Sequence, residues 1–176
     1  MSDPLVSVVI PVYNSQRFLS EAIDSVLAQH YDALQVIAVD DGSTDDSLAI
    51  LRGYGDALEV HVQENAGSAV ARNNAMRNAR GDFIAFLDAD DVWHPDKTRI
   101  QVSHLKHNAH VGLVFAKLLF ARSGDDDELA EFLRNPVGEH IDIETSESGW
   151  VYTKFLEESL LQTSSVIMRR SLMEKV

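Results

Sequence analysis

The stretch GDFIAFLDADDVWHPD, Gly81 to Asp96, decides how the chain is read. Phe83 to Leu87 is an unbroken apolar run, as expected of a strand buried on both faces. It stops at Asp88, Asp90 and Asp91. Like charges this close repel and raise each other's pKa values, so a fold that keeps them supplies a counter-charge or abundant water. Asp88 and Asp90 point to one side if the chain stays extended. Paired carboxylates converging on a point suit a hard divalent cation, which takes carboxylate and phosphate oxygens together. The plainer alternative is a helix N-cap, Asp90 or Asp91 closing a segment that starts near Pro95. One aspartate would be enough for that.

Working outward, apolar runs and helical periods alternate. SVVIPV (Ser7 to Val12), LQVIAV (Leu34 to Val39), LEVHVQ and the run before DADD read as strands. VGLVFAKLLFA reads as a long or bent fifth strand and TSSVIMRR as a final one. Between them, Phe18, Leu19, Ala22, Ile23, Val26 and Leu27 recur at helical spacing. Asn14 or Ser15 is the expected cap of that helix, and Ser43 or Thr44 of the next. A third helix follows Asn65–Ser68 and ends at Gly81 as a C-cap. Pro95 opens a fourth. The alternation predicts an α/β fold, a mostly parallel central sheet flanked by helices on both faces. After Ala121 the pattern weakens: RSGDDDELAEF is an acidic insertion, NPVGEHIDIETSESGW has no period, and VYTKFLEESLL reads as a helix. With no linker or repeat, residues 1–176 read as one domain, 1–121 a ligand-binding half and 122–176 a partial second half.

The 176 residues are 45% hydrophobic and carry a net charge of −13. That surface repels phosphate backbones, so nucleic-acid binding is excluded as a general function. No apolar run approaches the roughly 18–20 residues of a membrane span, and the N-terminus has no basic region of a signal peptide. The absence of Cys excludes disulfides, thiolate metal sites and a Cys nucleophile, and fits a reducing compartment. P-loop, dinucleotide, EF-hand, zinc-hydrolase and nucleophile-elbow patterns are missing.

Three further stretches are unusual. DDGSTDDS places Asp40 and Asp41 at a strand tip; Asp, Gly, Ser and Thr make ordinary turns, but an adjacent pair exceeds what a turn needs. PVYN puts Tyr13 at the end of the first strand, able to stack on a flat ligand or to pack. AGSAVARNN offers Gly67 and Ser68 at a helix start, where free N–H groups favour anions, with Arg72 one turn on as a fork of donors.

Taken in order, SVVIPVYN, VIAVDDGSTDDS, ENAGSAVARNNAM and GDFIAFLDADDVWHPD resemble the inverting glycosyltransferase family 2, with its GT-A fold. The resemblance covers about Ser7 to Asp96 and continues faintly in TSSVIMRRSLMEKV. It implies a nucleotide-diphosphate-sugar donor, UDP favoured, and a saccharide or lipid-linked acceptor. It implies that Pro11, Val12 and Tyr13 line the base, that Asp41 accepts its N–H with Asp40 nearby, and that Gly67, Arg72, Asp88 and Ala89 border the donor. Asp88 and Asp90 then hold Mg²⁺ or Mn²⁺, with Asp91 further out. The family's general base is an Asp beyond a V-G-G-F-D-like run, which on this pattern falls past Val176; Glu157 and Glu158 lie on the wrong side of TSSVIMRR. The chain is therefore expected to be truncated at its C-terminus and to bind donor without efficient transfer. Exposed apolar surface would then favour a homodimer. The expected location is cytoplasmic, or the inner face of a membrane through a longer parent chain. Two other readings stand beside this one: a nucleotide-sugar-binding module without turnover, and a haloacid-dehalogenase-type phosphohydrolase with Asp88 as nucleophile.

Overall fold

The computed structural model describes residues 2–116, 130, 131, 133, 134 and 162–175. Residues 117–121 of VGLVFAKLLFA, most of the acidic insertion, and VYTKFLEESLL with Glu157 and Glu158, lie outside them. The first strands are β1 (Val6–Val12), β2 (Leu34–Asp40), β3 (Glu59–Val62) and β4 (Phe83–Phe86). The helices are α1 (Leu19–Leu27), α2 (Ser47–Gly53), α3 (Ser68–Arg77) and α4 (Lys97–His107). Two short strands follow, β5 (Leu113–Val114) and β6 (Ile167–Arg169). The sheet order is β3-β2-β1-β4-β6-β5. β1 to β4 run parallel, and β6 is antiparallel to both β4 and β5.

The pleat divides the core in two. Val6, Val8, Ile10 and Val12 of β1, with Val36 and Ala38 of β2, pack against Leu19, Ile23 and Val26 of α1 and Val102 and Leu105 of α4. Val9, Ile37, Val39 and Ile84 pack against Ala71 and Ala75 of α3 on the other face. This double burial is why the strands read as continuous apolar runs rather than alternating ones. Ala at two successive turns of α3 lets that helix approach the sheet closely.

Several expected caps are not made. Neither Asn14 nor Ser15 caps α1; its N-cap is Phe18 without a side-chain bond, and the first turn closes on the Ser15 carbonyl. Ser43 and Thr44 do not cap α2, which begins at Ser47 after Asp46. Helix α4 begins at Lys97 after Asp96, so neither Asp90 nor Asp91 caps it. Gly81 is not a C-cap: α3 ends at Asn78, and Gly81 sits where β4 begins. A Cβ there would lie 2.6 Å from the Ser7 nitrogen and 2.7 Å from the Leu5 oxygen. The glycine is required because two backbones touch. Gly81→Ala is expected to cost about 2–3 kcal/mol, read as a lower urea midpoint at unchanged slope. A shift below roughly 0.5 kcal/mol would show that the β1–β4 contact yields freely.

Candidate functional site

The strand order reverses direction beside β1, with β2 on one side and β4 on the other, and such a switch point is where open parallel sheets take ligands. β1 pairs with β2 through Val12 but with β4 only as far as Val9. Pro11 has no N–H with which to extend the β4 ladder, so the pairing of β1 with β4 stops short of the end of β1. Pro11 and Val12 are buried in the strand, and Tyr13 beyond them is 50% exposed.

The loops after β1 and β2 are laced together. Asn14, at φ 49°, donates its N–H to Ser43 Oγ and accepts the Thr44 N–H. Ser15 N–H meets Ser47 Oγ at 2.8 Å, and Gln16 N–H meets Asp45 Oδ2 at 3.1 Å. Ser43, Thr44, Asp45 and Ser47 of DDGSTDDS are thus engaged with the loop after β1.

Asp40 and Asp41 diverge by the strand alternation. Asp40 Oδ2 accepts the Ser43 N–H, while its Oδ1 is buried without a partner. Asp41 turns to the α3 side. Its Oδ1 accepts from Gln63 Nε2 and the Ala66 N–H, and its Oδ2 from the Gly67 N–H, each at 2.8 Å. Burial alone would raise its pKa, but the Ala66, Gln63 and Gly67 donors outweigh it and hold the carboxyl below its usual value. Gly67 adopts φ 91°, open to glycine alone, and its N–H is already bonded. The expected free anion-binding N–H at Gly67 is therefore absent: Asp41 has claimed it.

DADD does not stay extended. β4 ends at Phe86, and the Asp91 N–H returns to the Asp88 carbonyl at 3.1 Å, closing a turn over Asp88–Asp91. Asp90 stands exposed at its corner, Ala89 is buried beneath it, and Asp91 is half-buried. Burial, then the negative charges of Asp90 and Asp88, push Asp91 upward, while the Ser164 hydroxyl opposes the rise. Arg72 faces the turn from α3. It donates to Asp88 Oδ1 at 2.5 Å and to Ser68 Oγ at 3.3 Å, and its Nε is buried without an acceptor. The counter-charge beside the turn in this structure is the arginine.

The structure brings together Tyr13, the Asp40–Asp41 pair, Gly67, Arg72, Asp88 and Asp90 at one sheet edge. The sequence reading missed Ser164, which precedes β6 and bonds the Asp88 N–H at 2.9 Å. It also missed Trp93, whose indole N–H donates to the Ser164 carbonyl at 2.8 Å. No local pattern marks either partner, 76 and 71 positions apart in sequence.

A largely parallel α/β sheet with an acidic turn opposite an arginine at its switch point has its candidate ligand site where open sheets of this class bind. The model of Glycosyl transferase family 2 matches residues 7–174, and the chain belongs to that family. It is 37% identical over 137 residues to the putative teichuronic acid biosynthesis glycosyltransferase TuaG of Bacillus subtilis, covering 76% of this chain and 54% of that one. A crystal structure of S. aureus TarS 1-349 in complex with UDP-GlcNAc superposes with a TM-score of 0.74 at 24% identity, over 97% of this chain and 47% of TarS. The mannosyltransferase PcManGT of Pyrobaculum calidifontis, in complex with GDP-Man and Mn²⁺, gives 0.68 at 24%, over 99% and 47%. Both show the GT-A architecture. The chain spans between 15% and 54% of the length of the curated relatives it matches. The phosphohydrolase and binding-module readings gain no support from these relatives. Among the described residues no helix is long and apolar enough to cross a membrane.

Proposed function

We propose that the chain binds a nucleotide-diphosphate sugar, UDP-linked by preference, together with Mg²⁺ or Mn²⁺, for inverting transfer to a hydroxyl of a saccharide or lipid-linked acceptor. The observation that carries this is the Asp88–Asp91 turn set against Arg72 at the β1/β4 switch point. Among the described residues no three acidic or His side chains form a closed metal cage. Two open carboxylates fit a cation that takes its other ligands from a diphosphate and water. Asp90 is exposed and Asp88 can exchange its arginine for the ion. The ion, when bound, neutralises charge growing on the leaving diphosphate.

The chain's own residues complete the donor site. Tyr13 offers a ring face to a base. Asp41 Oδ2 accepts one bond and has a second lone pair, and Asp40 Oδ1 has no partner, so two acceptors remain for a base N–H. Arg72, once released from Asp88, presents its fork to phosphate oxygens. An acceptor hydroxyl then attacks the anomeric carbon opposite the diphosphate, the glycosidic C–O bond to phosphate breaks, and the proton passes to a carboxylate that we assign to no described residue.

Relatives are named for UDP-linked sugar, as in the Escherichia coli glucosyltransferase WfgD, and PcManGT holds GDP-Man, so both nucleotides belong in the test. Calorimetric titration of UDP and GDP is expected to show binding in Mn²⁺ that weakens at least tenfold in EDTA. Equal affinity with and without metal would remove the cation from the reading, and no binding of either nucleotide would remove the donor.

A further inference from the structure

We propose that Ser164 is the positioning residue that sets the geometry of the metal-binding turn; this rests on the donor-site reading above. Ser164 is buried, at 2% exposure, just before β6. Its Oγ accepts the Asp88 N–H at 2.9 Å, and the Asp91 carboxylate lies within reach of its hydroxyl. A hydroxyl has one proton to give and two lone pairs to accept with, so a single Ser can serve both ends of the turn at once. Its carbonyl, meanwhile, accepts the Trp93 indole N–H at 2.8 Å, which anchors the chain leaving the turn. Trp93 is tied in turn to α1, its own N–H donating to Ser25 Oγ at 3.0 Å.

The consequence is geometric. A four-residue turn with acidic side chains repels itself, and its one internal bond joins Asp91 N–H to Asp88 O. Ser164 holds the turn from outside at Asp88, so the exposed Asp90 stands at the corner of a turn whose backbone is fixed. Small deviations at metal ligands cost affinity because second partners fix their orientation. Ser164 touches neither donor nor metal in this arrangement; it acts through Asp88 and Asp91.

The neighbouring Ser165 provides the control. It is equally buried, at 2%, but its Oγ bonds the Gln162 carbonyl at 2.7 Å and does not reach the turn. In the 176-residue chain, UDP and GDP are titrated with Mn²⁺ and with EDTA against Ser164→Ala and Ser165→Ala, with circular dichroism confirming the fold. The expected result is a loss of tenfold or more in the Mn²⁺-dependent affinity of Ser164→Ala, with EDTA affinity unchanged, and less than threefold change in Ser165→Ala. Equal losses in both variants, or parallel losses with and without metal, would mean a structural role and overturn the proposal. Unchanged affinity in Ser164→Ala would overturn it while leaving the donor site intact. Absence of metal-dependent binding in the unaltered chain would overturn both together.

Discussion

Replacing Asp88 by Asn is expected to lower nucleotide affinity in Mn²⁺ about 100-fold, close to 2.7 kcal/mol, while affinity in EDTA holds or rises a few-fold. The split follows from what Asp88 does in each state. Without metal its Oδ1 is the anion that holds Arg72, and Arg72 has an unsatisfied buried Nε beside that bond. Asn keeps the shape and still accepts a hydrogen bond, so the turn and the Ser164 clamp on its N–H persist. It removes the charge, however, and with it both the cation's ligand and the arginine's tether. The metal term falls, and the guanidinium becomes freer to meet phosphate. The charge-assisted pair is partly buried, with side-chain exposures of 21% and 32%, so it is stronger than a surface pair but still exchangeable. Calorimetry with and without EDTA separates the two effects. A uniform loss in both conditions would show that Asp88 serves only the fold, and equal affinity in Mn²⁺ would take Asp88 out of the metal site.

The parts of this fold that sequence displays are those governed by short-range period. Val6 to Val12, Leu34 to Val39 and Phe83 to Phe86 are apolar but for Ser7 and Gln35 because both sheet faces are covered, and the polar residues that follow them mark the candidate ligand edge. The charged residues of the candidate site stand out in the sequence because Asp88, Asp90, Asp40 and Asp41 exceed what turns require. What was not legible is whom those tips bind. Ser43 and Thr44 look like caps for the next helix, yet both face Asn14, thirty or so positions earlier. Asp41 looks like a ligand group, yet three of its acceptor positions hold the Gln63–Gly67 loop. Gly81 looks like a helix stop, yet its missing Cβ serves the Leu5–Ser7 backbone. Ser164 has no local signature at all. Each of these depends on a loop–loop or strand–loop encounter, which carries no periodicity to read.

Replacing Lys97 by Met is expected to stabilise the chain at pH 7 by about 3 kcal/mol. Lys97 opens α4, directly after the acidic turn and Trp93. Its Nζ is shut off from water with no hydrogen-bond partner and lies 3.9 Å from the centre of the Trp93 ring. Burial pushes its pKa down from 10.5 to about 7. The folded value lies below the unfolded one, so between about pH 7 and 10.5 the unfolded chain binds more protons and stability rises with pH. Below that window both states are protonated, and the full penalty applies. At 1.36 kcal/mol per unit the gap corresponds to roughly 5 kcal/mol, and the indole face, which favours the cation by ~1–2 kcal/mol, offsets part of it. Met matches the length of the buried stem and carries no charge to desolvate. Urea unfolding at pH 7 and pH 9.5 checks the sign twice. The unaltered chain is expected to gain stability between the two, whereas the variant loses that gain because the titrating group is gone. Tyr31, pushed up to about 12, does not titrate in this range and leaves the comparison clean. A destabilised variant at pH 7, or one with the same pH slope as the unaltered chain, would mean that the amine is paired and charged in the folded protein.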